Sequence, residues 1–133
     1  MLSLNPESGE SAAENPGPDP NPVEFYDITR VDGRVRCWVW RGYGVRSPLP
    51  HLVRHSPDGF EIGYGGSGPA DLARSILADH LGNPDVEPAV YQAFKFSFLA
   101  QPEWSAGRKI PVAAIEDWLT MLRAQRFTLE AAS

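Results

Sequence analysis

A glycine-rich turn between a strand-like run and a helix-like run most limits how this chain can fold. Residues 59–82 read GFEIGYGGSGPADLARSILADHLG. Four glycines lie close together in this stretch: Gly63, Gly65, Gly66 and Gly68. Because glycine tolerates positive φ and lets backbone segments approach closely, we predict a sharp strand-to-helix turn here. The apolar residues that follow repeat at i, i+3 and i+4, which predicts an amphipathic helix that ends at Gly82.

The glycine spacing also matches the G-x-G-x-x-G fingerprint of dinucleotide-binding folds. That fingerprint requires flanking parallel strands, whereas the runs before this turn resemble hairpins and those after it resemble helices. We therefore expect a turn whose role is architectural, so that Gly65→Ala unfolds the domain. Phosphate or nucleotide binding stays open as an alternative. Its candidate residues are Gly65, Gly66, Ser67 and Gly68.

The predicted start of this helix bears on that alternative. With Gly68 as N-cap and Pro69 as the first helical residue, Asp71 is the third helical residue. Its carboxylate would then favourably meet the positive end of the helix. On this interpretation the place that a bound anion needs already holds a negative charge.

Upstream of the turn, short runs of strand-forming residues predict two hairpins. The first joins VEFYDITR to RVRCWVWR through Val31-Asp32-Gly33, and Asp-Gly suits a tight turn. The second joins PHLVRH to GFEIGYG through Ser56-Pro57-Asp58-Gly59. Downstream, further helices are predicted from near Pro88 and from Pro111. The predicted fold class is α+β, a four-stranded antiparallel sheet packed against about three C-terminal helices.

Composition divides the chain into a tail and a domain. Residues 1–22 are acidic, rich in Pro and Gly and poor in large apolar side chains, which predicts a disordered tail. Residues 23–129 are expected to form a single α+β domain. The net charge of −5 comes from the N-terminal region, because residues 1–24 hold five acids and no Lys or Arg. With one cysteine, no signal-peptide pattern and no apolar run of membrane length, we expect a cytoplasmic protein without a membrane partner.

An arginine and tryptophan stripe follows the first predicted turn. In RVRCWVW the two-residue period of a strand places Arg34, Arg36, Trp38 and Trp40 on one face, with Val35, Cys37 and Val39 on the other. Cations interleaved with aromatic rings suit single-stranded nucleic acid. The predicted binding residues are Arg34, Arg36, Trp38, Trp40, Arg41 and Arg54. The alternative is structural: both indoles lie in the core or pack between arginine side chains.

No catalytic, metal or cofactor site is predicted. Cys37 could pair with His51 or His55 as nucleophile and base, but a cysteine between two valines of a strand is typically an inert small apolar residue. These three residues are also too few for a closed zinc site. We therefore expect a protein that is not an enzyme.

The run SPDGFEIGYGGSGPADLARSILADHLG, with YQAFK and a final Trp-Leu helix further on, resembles a small uncharacterised bacterial and phage family with the core G-F-E-W-G-Y-G-G-S-G-P-A. Ile62 stands where that core has Trp. The resemblance spans roughly residues 30–122 and implies a phage or mobile-element setting, in which small proteins bind host macromolecules. The expected function is therefore modulation of a host macromolecule by protein binding. Single-stranded nucleic-acid binding and nucleotide binding at the glycine turn are the alternatives.

Overall fold

The computed structural model describes residues 22–132, in which one antiparallel sheet packs against three helices. The elements in chain order are β1 (Val23–Val31), β2 (Arg34–Arg41), β3 (Arg46–Pro48), α1 (Ser67–Leu81), α2 (Pro88–Phe98), β4 (Gly107–Pro111) and α3 (Val112–Ala132). The strand order is β3-β2-β1-β4. The predicted α+β class, with four antiparallel strands and three helices, is confirmed. The predicted disordered tail lies outside the described residues, apart from Pro22.

The first predicted hairpin is confirmed at its turn. β1 and β2 are joined by two residues, Asp32 with φ 52° and Gly33 with φ 76°. Positive φ at both central positions matches a type I′ turn, whose twist suits the flanking strands. The Asp-Gly pair therefore sets the register of the hairpin, in which Val31 pairs with Arg34.

The second predicted hairpin is wrong. Residues 49–63 form no strand, and Phe60 makes only an isolated bridge to Val35. Four of their backbone N–H groups bind side chains of α1 instead. The N–H groups of Arg54, His55 and Ser56 donate to the Asp71 carboxylate, and the N–H of Leu52 donates to the Ser75 hydroxyl. Because these donors are satisfied by α1, the segment lies along the helix rather than in a strand ladder.

The two outer strands of the sheet are short and come from elsewhere in the chain. On β3, Ser47 pairs with Val39 of β2, and Pro48 is tolerated because it lies in an edge strand. On β4, Lys109 pairs with Asp27 of β1. The helix predicted from Pro111 begins one residue later, at Val112, because Pro111 is the last residue of β4.

The core lies between the helices and one face of the sheet. That face supplies the buried side chains Tyr26, Ile28, Cys37, Val39 and Ile110. The helices supply buried apolar residues that include Leu72, Ile76, Leu77, Phe94, Ile115 and Leu119. Consecutive strand residues point to opposite faces, so the alternate residues of β1, β2 and β4 form an outer face. In the described part of the chain, no helix combines the length and apolar character that a membrane span requires.

Candidate nucleic-acid interface

The outer face of the sheet carries the predicted arginine and tryptophan stripe. Cys37 and Val39 are buried and Val35 packs against the core, as the alternation predicts. On the opposite side of β2, Arg34 and Arg36 are exposed, and Trp38 and Trp40 are half-buried. The structure thus brings four of the six predicted binding residues together on one face. The interior alternative for the two indoles is wrong, because neither belongs to the core.

Neighbouring strands add aromatic and cationic side chains to this face. Phe25 of β1 pairs with Trp40, and their rings stack with centroids 5.7 Å apart and planes 16° apart. The Nζ atom of Lys109 on β4 lies 5.2 Å from the centre of the Phe25 ring. The sequence stripe is therefore one strand of a wider surface. We call Phe25, Trp38, Trp40, Arg34, Arg36, Arg46 and Lys109 the aromatic-cationic face.

Arg46 covers the tryptophans from the edge strand. Its backbone pairs with Trp40, while its guanidinium carbon lies 4.0 Å from the centre of the Trp38 ring and 5.6 Å from that of Trp40. The arginine packing considered as the structural alternative is therefore present. A guanidinium plane on an indole leaves its second side to solvent, and bases stack on such planes as they do on aromatic rings.

The charge on this face is mostly unpaired. Arg34 and Arg36 form no ion pair or hydrogen bond through their side chains with any residue between 22 and 127, the range in which the structure describes side chains. They line an open polar cleft of about 640 Å³ together with Phe60 and the acids Asp58 and Glu61. Asp27, between Trp38 and Lys109 in the register, is an acid of the same face. The cations lie at both sheet edges and at the hairpin end, with the aromatic rings between them.

The other two predicted binding residues lie elsewhere. Arg41 follows Trp40 and is therefore on the core-facing side of β2. Burial raises the pKa of the Tyr26 hydroxyl, and the nearby Arg41 has a smaller, opposite effect on that pKa. Arg54 belongs to the segment tied to Asp71 and lines a separate cleft of about 360 Å³ with Arg74 and Glu87. Neither residue extends the aromatic-cationic face.

The glycine turn is built by close packing. Gly63 has φ 96°, and a Cβ on it would lie 2.8 Å from the Cα of Ser105. A Cβ on Gly68 would lie 2.5 Å from the Cβ of Glu61. Gly65 has no positive φ and meets only the ring of Phe96, at 3.1 Å. Gly63 and Gly68, rather than Gly65, are therefore the positions that require glycine.

The predicted helix start at this turn is wrong by two residues. The N-cap of α1 is Gly66, and Ser67 is the first helical residue. Asp71 is therefore the fifth helical residue, and its carboxylate faces the segment 51–56 instead of the helix end. The buried Lys95 lies beside the turn and donates from Nζ to the carbonyl of Gly65 at 2.9 Å. Burial lowers the pKa of Lys95.

The candidate nucleophile and bases are held in separate places. Cys37 is in the core, where burial raises the pKa of its thiol. The Nε2 atom of His51 is 2.9 Å from the Asp71 carboxylate, and that of His55 is 2.8 Å from the Tyr91 hydroxyl. Among the side chains described, those of residues 22–127, no group of three or more His, Cys, Asp or Glu residues is placed to hold a metal ion. That the protein is not an enzyme stays a prediction.

Three residues of the aromatic-cationic face are absent from the predicted set: Phe25, Arg46 and Lys109. Local alternation could have placed Phe25 and Lys109, but only the pairing of β1 with β2 and β4 brings them beside the tryptophans.

Comparison with known proteins gives one match. The model of a family described as "Family of unknown function (DUF6166)" matches residues 29–121. No curated protein and no solved structure matches the chain. The matched range includes β2, β3, the glycine turn and both central helices, and it leaves Phe25 of β1 outside.

Proposed function

We propose that this chain, which belongs to the family of unknown function DUF6166, binds single-stranded nucleic acid through its aromatic-cationic face. The observation that carries the proposal is the layered contact of Arg46 on Trp38, flanked by the stacked pair Phe25 and Trp40. A base can stack on the outer side of the guanidinium, or it can displace Arg46 and stack on the indole itself. In the second arrangement the displaced Arg46 contacts a phosphate. Both arrangements therefore use Arg46 and Trp38.

The arginines without an ion-pair partner among the described residues, Arg34 and Arg36, favour a polyanionic ligand. Arg34 and Arg36 extend from the tryptophans toward the β1–β2 turn, and Lys109 lies across the sheet from Trp38, beyond Asp27. A strand of nucleic acid laid along β2 would place bases at the indoles and phosphates at these cations. The charge of this face thus complements a phosphate backbone, although the whole chain carries −5.

A protein partner is the competing hypothesis for the same face. Trp and Arg are also the side chains that dominate the energy of protein interfaces. A protein interface of standard size, however, buries its core in a dry, close-packed contact, whereas here two exposed, unpaired arginines lie beside the rings. The test must therefore distinguish nucleic-acid binding from host-protein binding in a phage or mobile-element setting.

The test is fluorescence anisotropy with labelled oligothymidine and oligouridine of about 16 nucleotides, the upper end of the site size of small single-strand-binding folds. We expect binding that quenches tryptophan fluorescence. The logarithm of the association constant should fall with the logarithm of salt concentration, with a slope of about −3 for four phosphate contacts. The DNA and RNA arms show which of the two oligonucleotides binds more tightly. Absence of binding to both oligonucleotides at low salt would overturn the proposal, and nuclease-resistant capture of one host protein would favour the competing hypothesis.

Matched variants locate the site. Trp38→Leu should weaken binding by roughly 5- to 150-fold, the equivalent of one lost base stack. Trp104 is its control, because it too is half-buried and has an arginine, Arg108, 4.1 Å from its ring, but it packs against the core. Trp104→Leu should leave binding unchanged. Arg34→Gln with Arg36→Gln should make the salt slope shallower by about 1.4, whereas Arg123→Gln with Arg126→Gln on α3, an equal change of charge, should not.

A further inference from the structure

The loop between β2 and β3, two strands that carry residues of the aromatic-cationic face, contains a strained tyrosine, Tyr43. Residues 42–45 connect the two strands, and the N–H of Arg41 donates to the carbonyl of Val45 at 2.7 Å, which closes the loop. At its base, Trp40 pairs with Arg46. Tyr43 is therefore three residues along the chain from each member of this pair, a span of at most about 11 Å.

Within the part of the chain that the structure describes, neither the backbone nor the packing accounts for a tyrosine at this position. Tyr43 has φ 67° and ψ 26°, the left-handed region, which disfavours bulky L-residues. Its neighbour Gly44 has a similar φ, 73°, which glycine adopts without strain. Tyr43 is 95% exposed, so burial does not offset the strain. Among the described residues it has no hydrogen-bond partner and no ring contact.

We infer that Tyr43 contacts the ligand, stacking on the base next to those held at Trp38 and Trp40. The inference rests on the proposed function. Strained residues that the surrounding structure does not explain are typical of ligand contacts, where the conformation aims a side chain outward. An aromatic side chain has only two χ angles, so it loses little side-chain entropy when it stacks on a base. The aromatic-cationic face would then continue from β2 onto this loop.

Tyr43→Gly is the decisive variant, because it separates a structural role from ligand contact. Glycine relieves the backbone strain, so the melting temperature should equal or exceed that of the wild type. Affinity for oligothymidine should nevertheless fall by about 5-fold or more, the smaller end of one lost base stack. Tyr43→Phe keeps the ring and should bind as the wild type does. Tyr64→Ala, which removes a half-exposed tyrosine from the glycine turn, is the control and should leave affinity unchanged.

The outcomes distinguish this inference from the proposed function. Loss of affinity in Tyr43→Gly with an unchanged or higher melting temperature supports it. If Tyr43→Gly binds as tightly as the wild type while Trp38→Leu does not, the inference is overturned and the proposed function stands. A melting temperature lowered by more than about 5 °C would assign Tyr43 a structural role and also overturn the inference. If the wild type binds neither oligothymidine nor oligouridine, both are overturned.

Discussion

The guanidinium of Arg46 on β3 lies 4.0 Å from the ring of Trp38 on β2, so an edge strand of three residues is joined to the middle of the sheet by a cation–π contact. All three residues of β3 are exposed, and the strand contributes nothing to the core. The same contact therefore serves two purposes. It holds the edge strand in place, and it presents a planar cation above an aromatic ring.

Arg46→Ala is expected to lower the affinity for single strands more than it lowers the stability of the protein. Loss of an exposed cation–π contact should lower the free energy of unfolding by only about 0.5–1 kcal/mol. Affinity for single strands should fall further, because both a phosphate contact and a stacking plane are lost. Arg46→Lys keeps the charge without the plane, so it should retain the salt slope but recover only part of the affinity. Urea unfolding and oligonucleotide titrations of the same samples measure stability and affinity. An Arg123→Ala control that loses as much affinity as Arg46→Ala would contradict the prediction.

Local patterns were enough to predict the first hairpin and its two faces. The Asp32-Gly33 pair fixes a turn with positive φ at both positions, and the two-residue period of β2 assigns each side chain to a face. The apolar stripe of α1 was also predicted correctly, since Leu72, Ile76 and Leu77 are all buried. In these elements the information lies within a few residues along the chain.

The second hairpin could not be predicted because a distant side chain decides it. Residues 50–55 have strand-forming composition, but Asp71 and Ser75 take their backbone N–H groups. Tertiary context of this kind regularly overrides strand propensity. The site shows the same limit, because Arg46 and Lys109 reach the tryptophans only through strand pairings, and the Lys109 pairing joins residues far apart in sequence.

The Cys37 thiol is expected to be unreactive in the folded protein. It is buried between core residues, and burial raises the pKa of the thiol, so little of the reactive thiolate forms at pH 8. A thiol-specific chromogenic disulfide reagent should modify the native protein far more slowly than it modifies free cysteine. The reaction should become fast in unfolding concentrations of urea. Rapid modification of the native protein would show that β2 opens locally.

Substitutions in the glycine turn should differ sharply in cost. Gly63→Ala combines a positive φ with a backbone clash at Ser105, so we expect a loss of about 2–5 kcal/mol in the free energy of unfolding. Gly68→Ala meets Glu61 and should cost about 1–3 kcal/mol. Gly65→Ala meets only the exposed ring of Phe96, which can move, and should cost less than about 1 kcal/mol. Urea unfolding of the three variants gives this order directly, and a Gly65→Ala variant that unfolds would contradict it.

Asp71 binds more backbone N–H groups of the segment 51–56 than Ser75, the other α1 side chain that accepts from this segment. Its carboxylate is fully buried and accepts from the N–H groups of Arg54, His55 and Ser56, while His51 Nε2 lies 2.9 Å away. Burial by itself would raise the pKa of Asp71, but the hydrogen bonds from His51 and the backbone outweigh it and lower the pKa. The folded state therefore favours the ionised form more than the unfolded chain does.

Asp71→Asn should destabilise the protein at neutral pH and reduce its sensitivity to acid. Asparagine keeps one acceptor oxygen but loses the charge, so we expect a loss of about 1–3 kcal/mol at pH 7. Because the pKa is lower in the folded state, the contribution of Asp71 is complete above its unfolded pKa of about 3.9 and is lost as the pH falls through the folded pKa. The stability difference between wild type and variant should therefore shrink below about pH 4. Urea unfolding at pH 7 and pH 3 measures it, with the exposed Asp117→Asn as control, and a difference that stays constant between these two pH values would contradict the prediction.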